Sequence, residues 1–128
     1  MKPPDDEVKA WLQKAYSDLC AARILVSHGA TVRDIAVFHC QQAAEKALKA
    51  FLIWKAVPFD RVHNLIYLLD LCETENNNFA ALRVISETLT PYAVEVRYPG
   101  ERLQLSLEDV TEALSGAETV WTFVLQCL

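Results

Sequence analysis

The side chains able to do chemistry fall in three groups. Gln42, Glu45, Lys46 and Lys49 lie on one short stretch, Arg61 and His63 stand two apart after a proline, and Arg97 and Tyr98 precede Pro99–Gly100. Arg supplies a planar donor fork for phosphate or carboxylate, Lys a point charge, His a proton donor or acceptor near neutral pH, and Tyr a stacking ring with a polar tip. That combination would suit a phosphate or a nucleobase, and equally a polar patch between two subunits. Each group also has a plainer reading. Glu45 and Lys49 would form a helix-surface ion pair contributing roughly 0.2–0.5 kcal/mol, and His63 would cap a helix. Arg61 would pair with Asp60 or another surface acid, Arg97 would pair with Glu95 or Glu101, and Tyr98 would cover the end of the fold. No Gly-rich phosphate loop, HExxH, nucleophile elbow or Cys–His zinc spacing is present. Cys20, Cys40, Cys72 and Cys127 are widely separated among apolar residues and read as reduced core thiols, so no metal or cofactor is expected.

The element that must position the first group is a helix predicted over Arg33–Ala56, free of Gly and Pro and rich in Ala, Leu, Gln, Glu and Lys. Val37, Cys40, Ala44, Ala47, Leu48, Phe51 and Trp54 fall in one core-facing stripe. Gln42, Glu45, Lys46 and Lys49 gather on another side, with Ile35 and Phe38 before them and Ile53 after. A solvated face would not carry apolar residues at both ends. This face is therefore expected to lie partly against another helix or a second copy of the chain.

The remaining elements are also helical. A first helix starts near Asp5 or Asp6, where an Asp caps free amides, carries Val8, Trp11, Leu12, Ala15, Leu19, Ala22 and Val26, and ends at His28–Gly29. Thr31 and Asp34 have the spacing of a capping box for the central helix, and the short connection makes the two helices antiparallel neighbours. Pro58 ends the central helix, and Phe59 to His63 leads into a third with Leu65, Leu68, Leu69 and Cys72 inward. Thr74–Asn78 reads as a polar loop, and Phe79, Leu82, Ile85 and Leu89 mark a fourth helix that breaks at Thr90–Pro91 into a short extra piece. Ser106 and Asp109 open a last helix with Leu107, Val110, Leu114, Ala117, Trp121, Val124 and Leu128, in which Gly116 allows close approach of a neighbour. No useful β alternation occurs. The expected fold is all-α, an up-and-down bundle of about five helices forming one domain over residues 1–128.

The chain has 128 residues, 52% hydrophobic, yet no apolar run approaches the length of a membrane span. The acidic start, Asp5–Asp6–Glu7, lacks the apolar core of a signal peptide, so a cytoplasmic location is expected. A net charge of −5 argues against broad nonspecific affinity for nucleic acid but leaves room for a small basic pocket.

The run Phe38–His39–Cys40–Gln41–Gln42–Ala43–Ala44–Glu45–Lys46–Ala47–Leu48–Lys49–Ala50 resembles the signature helix of the HEPN family. The resemblance extends to the Asp18–Leu19 pair, to Arg61–Val62–His63–Asn64–Leu65, and to Arg97–Tyr98–Pro99, in the family's order. It implies an all-α bundle, commonly a homodimer and often encoded beside a small nucleotidyltransferase, in some cases an RNase toxin using an Arg and a His four to six residues apart near the last helices. This chain departs from that pattern, because no His follows Arg97. The same spacing recurs at Arg23–His28 and Arg33–His39, on the wrong helices, and is read as chance. The resemblance thus favours a noncatalytic module in a toxin–antitoxin-like system. It would bind a nucleotide, an RNA phosphate or a nucleotidyltransferase partner through Gln42, Glu45, Lys46, Lys49, Arg61, His63, Arg97 and Tyr98. The alternatives are a metal-independent RNase with His63 as general acid or base beside Arg61, and a purely structural dimer subunit.

Overall fold

The computed structural model describes residues 4–94, 99 and 104–128. Among them are five α-helices and no strand: α1 Asp6–His28, α2 Arg33–Trp54, α3 Leu65–Glu75, α4 Arg83–Leu89 and α5 Leu107–Cys127. Asp5 caps α1 as its position predicts, its carboxylate accepting the Val8 amide at 3.0 Å. Gly29, at φ 128°, adopts a backbone that glycine tolerates and turns the chain into a 3₁₀ turn over Ala30–Val32. That turn corrects the expected Thr31–Asp34 cap. Thr31 lies inside it, and the Arg33 amide is satisfied by the Ala30 carbonyl, so α2 starts without a side-chain cap.

α2 forms the centre of the fold. The whole predicted stripe from Val37 to Trp54 is buried, and so are Ala36, Ala43, Ala50 and Leu52 on its other sides. Its small alanines let α1 pack antiparallel along it, while α5 packs on another side. Phe51 and Phe79 meet at 4.5 Å between ring centroids, and Phe79 continues to Phe123 of α5 at 4.8 Å, linking three elements in one aromatic stack.

The helix ends at Trp54, earlier than Ala56. Val57 N–H donates to Leu52 O at 2.9 Å and Ala56 N–H to Ile53 O at 3.0 Å, with Ala56 at φ 57°. This is a Schellman closure in which alanine holds the left-handed position usually taken by glycine. It turns the chain back along α2 before Pro58 is reached. Two further boundaries differ for a related reason. α3 continues through Thr74 and Glu75, and the Asn76 side chain then accepts the Asn78 amide and starts a 3₁₀ segment, Asn77–Leu82. The expected fourth helix is therefore split into that segment and α4. The break at Pro91 is present as a 3₁₀ turn, Thr90–Ala93, and the Ser106–Asp109 capping box is formed at 3.0 and 2.9 Å. At Gly116 an added Cβ would come within 3.0 Å of Ile85 Cγ2, the close approach anticipated for this glycine.

All four cysteines are free thiols, with Cys40 and Cys72 fully buried. Burial, reinforced by the charge of Glu118, pushes the Cys40 thiol from 9.0 up to about 12. Burial also raises Cys72. Such a thiol stays neutral when folded but ionises when unfolded, so its stabilising effect is complete below about pH 9 and is lost as pH rises toward about 12. Urea midpoints measured at increasing pH should fall above that point, less steeply for Cys40→Ala than for the parent; parallel curves would refute this. At the α2 closure, Ala56→Gly should raise stability by about 0.5–1 kcal/mol by relieving the left-handed alanine, read as a higher urea midpoint.

Candidate functional site

Along the side of α2 turned toward α1 and the 57–64 connection, two buried carboxylates each gather a lysine and a histidine. Asp18 of α1 receives Lys46 Nζ at 2.5 Å on Oδ2 and faces His39 Nδ1 at 2.8 Å with Oδ1. Glu45 of α2 receives Lys49 Nζ at 2.9 Å on Oε2 and faces His63 Nδ1 at 3.0 Å with Oε1. Gln41, fully buried, donates from Nε2 to Glu45 Oε1 at 3.1 Å and to the His63 carbonyl at 3.0 Å, while its Oε1 accepts from Gln42 at 2.7 Å. This network fastens the connection to the helix. The connection is secured further along by Asn64, whose side chain caps α3, and by Tyr67, whose hydroxyl accepts the Asp60 amide.

The expectation that this side of α2 lies partly against another element is met within the chain, since Asp18 of α1 takes Lys46. Glu45 and Lys49 do pair, but the pair is buried, with side chains 3% and 9% exposed. Lys49 is also flanked by aromatic rings, its ammonium 5.7 Å from the Trp11 centroid and 5.9 Å from that of Phe59. Arg61 and His63 lie in the connection before α3, not on the helix, because Asn64 is the N-cap. Arg61 is exposed and, among the described residues, makes no ion pair or hydrogen bond; the expected pairing with Asp60 is not formed. The His63 side chain is 68% exposed although its Nδ1 rests on a buried carboxylate. Gln42 is half-buried and donates to Gln41. Arg97 and Tyr98 lie outside the described residues.

Three contributors were absent from the sequence-based site. Asp18 falls within the apolar stripe of α1, three residues after Ala15, and a carboxylate in that phase must find a partner. His39 stands seven residues before Lys46 and so shares its side of the helix. Gln41 is four before Glu45, which is four before Lys49. The Arg33–His39 spacing, set aside as chance, is indeed divided: Arg33 donates to Leu105 O at 3.0 Å while His39 turns to Asp18.

An all-α bundle centred on this Gln–Gln–Ala–Ala–Glu–Lys helix is matched by the HEPN domain over residues 8–127. The chain belongs to the HEPN family. It is 30% identical over 126 residues to a toxin candidate of Methanocaldococcus jannaschii, spanning 88% of this chain and 82% of the relative. Among solved structures it is similar to an archaeal HEPN homologue, with a TM-score of 0.73, 26% identity and 98% of each chain covered. It is also similar to a protein from Thermus thermophilus, with a TM-score of 0.78, 25% identity, and 97% of this chain and 100% of the other covered. No helix among the described residues of this HEPN chain is long and apolar enough to cross a membrane.

Chemically, the two carboxylates neutralise Lys46 and Lys49 in place, whereas the connection leaves the Arg61 guanidinium and the His63 Nε2 edge open to a ligand. Removing the charge of Glu45 would leave the buried Lys49 ammonium without its partner, a change that typically costs several kcal/mol. Glu45→Gln should therefore lower stability by about 3 kcal/mol in urea unfolding, and Lys46→Gln by less, because the Asp18 carboxylate it leaves behind still faces His39. Equal losses would show that the remaining histidine does not offset the lost lysine.

Proposed function

We propose that this HEPN chain is a noncatalytic binding module of a toxin-type system that recognises a nucleotide or an RNA phosphate through Arg61 and His63. The observation that carries the reading is the contact of His63 Nδ1 with the buried Glu45 carboxylate, beside an Arg61 with no protein partner among the described residues. A carboxylate accepting from Nδ1 holds a proton on that nitrogen and turns Nε2 outward, where the protonated ring donates a second N–H, and the guanidinium supplies a planar fork two residues away. Phosphate oxygens match both donors. Glu45, Lys46 and Lys49, their charges already engaged, and Gln42, its amide bonded to Gln41, then serve mainly as the framework.

Family membership and the toxin candidate among its relatives support a place in a toxin system. We further propose a homodimer that pairs through Ile35, 43% exposed, together with the half-buried Phe38 and Ile53. A nucleotidyltransferase is the protein partner consistent with the family resemblance. Arg97 and Tyr98 belong to the same proposal on the sequence pattern alone.

The RNase reading draws on the same Glu45–His63 contact, since a carboxylate-held imidazole is a competent general acid or base. Metal-independent cleavage needs proton transfer at both the attacking hydroxyl and the leaving oxygen. His39, the other ring on this side of α2, is only 26% exposed against 68% for His63, and no His follows Arg97, which favours binding over cleavage. Anisotropy of a labelled single-stranded RNA should show Arg61→Ala and His63→Ala binding roughly tenfold or more weakly than the parent, with unchanged circular dichroism and the RNA intact. Unaltered affinity in both variants would sink the proposal; RNA cleavage lost in His63→Ala would replace it with the RNase reading.

A further inference from the structure

One groove is lined in part by residues that shortly precede Arg61 on the same connection. It has a volume of about 460 Å³ and is lined by Trp11 and Glu7 of α1, Ile53 of α2, and Val57, Pro58 and Phe59 of the following turn. A site of this size is ample for a small planar ligand. Trp11, Ile53, Val57 and Phe59 are only half-buried, so they present apolar surface to solvent at one place. Their packing follows from the backbone: the closure at Ala56 folds Val57–Phe59 back beside the start of α1.

Two features distinguish the groove from an ordinary apolar dimple. Lys49 does not line it, yet its buried ammonium lies near both the Trp11 and Phe59 rings. The same ammonium is bonded to Glu45, and Glu45 to His63. The rings of the groove and the imidazole of the phosphate site are thus joined through one lysine and one carboxylate. Phe59 and Arg61 are also two residues apart on the same connection. The second feature is Glu7, whose carboxylate at the rim is an acceptor for an N–H-bearing ring edge.

We infer that this groove is a nucleobase subsite, taking a base with an exocyclic amine against Trp11 and Phe59 while its phosphate meets Arg61 and His63. The inference rests on the phosphate reading above. Aromatic side chains supply stacking area that any base can use, and a carboxylate accepting from an exocyclic amine selects adenine or cytosine over uracil. The ligand class is therefore a nucleotide with an amino-bearing base, free or at the end of an RNA.

Calorimetric titration of the full chain with adenosine 5′-monophosphate, uridine 5′-monophosphate and ribose 5-phosphate separates the two readings. The adenine nucleotide should bind about tenfold or more tightly than ribose 5-phosphate, with the uracil nucleotide between them. Phe59→Ala should abolish that advantage while leaving ribose 5-phosphate binding unchanged, and Phe59→Tyr should retain it. Arg61→Ala should weaken all three ligands. Equal affinity of the parent for the adenine nucleotide and ribose 5-phosphate, or an advantage that survives both Phe59→Ala and Trp11→Ala, overturns the base subsite and spares the phosphate site. Failure of all three ligands to bind overturns both.

Discussion

A carboxylate taken out of water must be met by opposite charge or by hydrogen-bond donors, and Glu45 imposes that requirement on the centre of this fold. Its position on α2 is set by the helical period, with the apolar stripe on one side and α1 on another. The partners it recruits come from different parts of the chain: Lys49 from the next turn of the same helix, Gln41 from the preceding turn, and His63 from the connection to α3. Satisfying one buried charge therefore fixes where the 57–64 connection runs. Asp18 repeats the arrangement toward α1, joining that helix to α2 by charge as well as by apolar packing.

The helices themselves were legible because their signals are local. Val8 through Val26, Val37 through Trp54 and Leu65 through Cys72 follow the 3.6 period, and Asp5 and Ser106 announce their caps through residue type and spacing. Even the Gly116 contact could be anticipated, since a helical glycine costs about 1 kcal/mol and invites a packing reason. Boundaries were less legible where backbone closures replaced side-chain signals. Ala56 in the left-handed region carries no residue pattern that sets it apart from helix, and the 3₁₀ turns around Thr31 and Asn77 read from sequence as a cap and a polar loop.

The candidate site was half legible for a different reason. Glu45, Lys46, Lys49, Arg61 and His63 stood out as residue types, but nothing in the one-dimensional order says that Asp18 reaches Lys46 across two helices, or that Gln41 bonds the backbone of residue 63. Pairing decides whether a lysine is an anion site or a structural cation. That information resides in tertiary contacts, and it moves the emphasis from Lys46 and Lys49 to Arg61 and His63.

The connection bearing those two residues is anchored at several points: by the closure at Ala56, by Tyr67 at Asp60, by Gln41 at His63 and by the Asn64 cap. Most of its conformational freedom is thus surrendered during folding instead of on contact with another molecule. A ligand at the proposed Arg61 site would find a preorganised backbone and have only side-chain rotamers left to freeze. Affinity at such a surface can come from few contacts, which suits recognition by a small domain of net acidic charge.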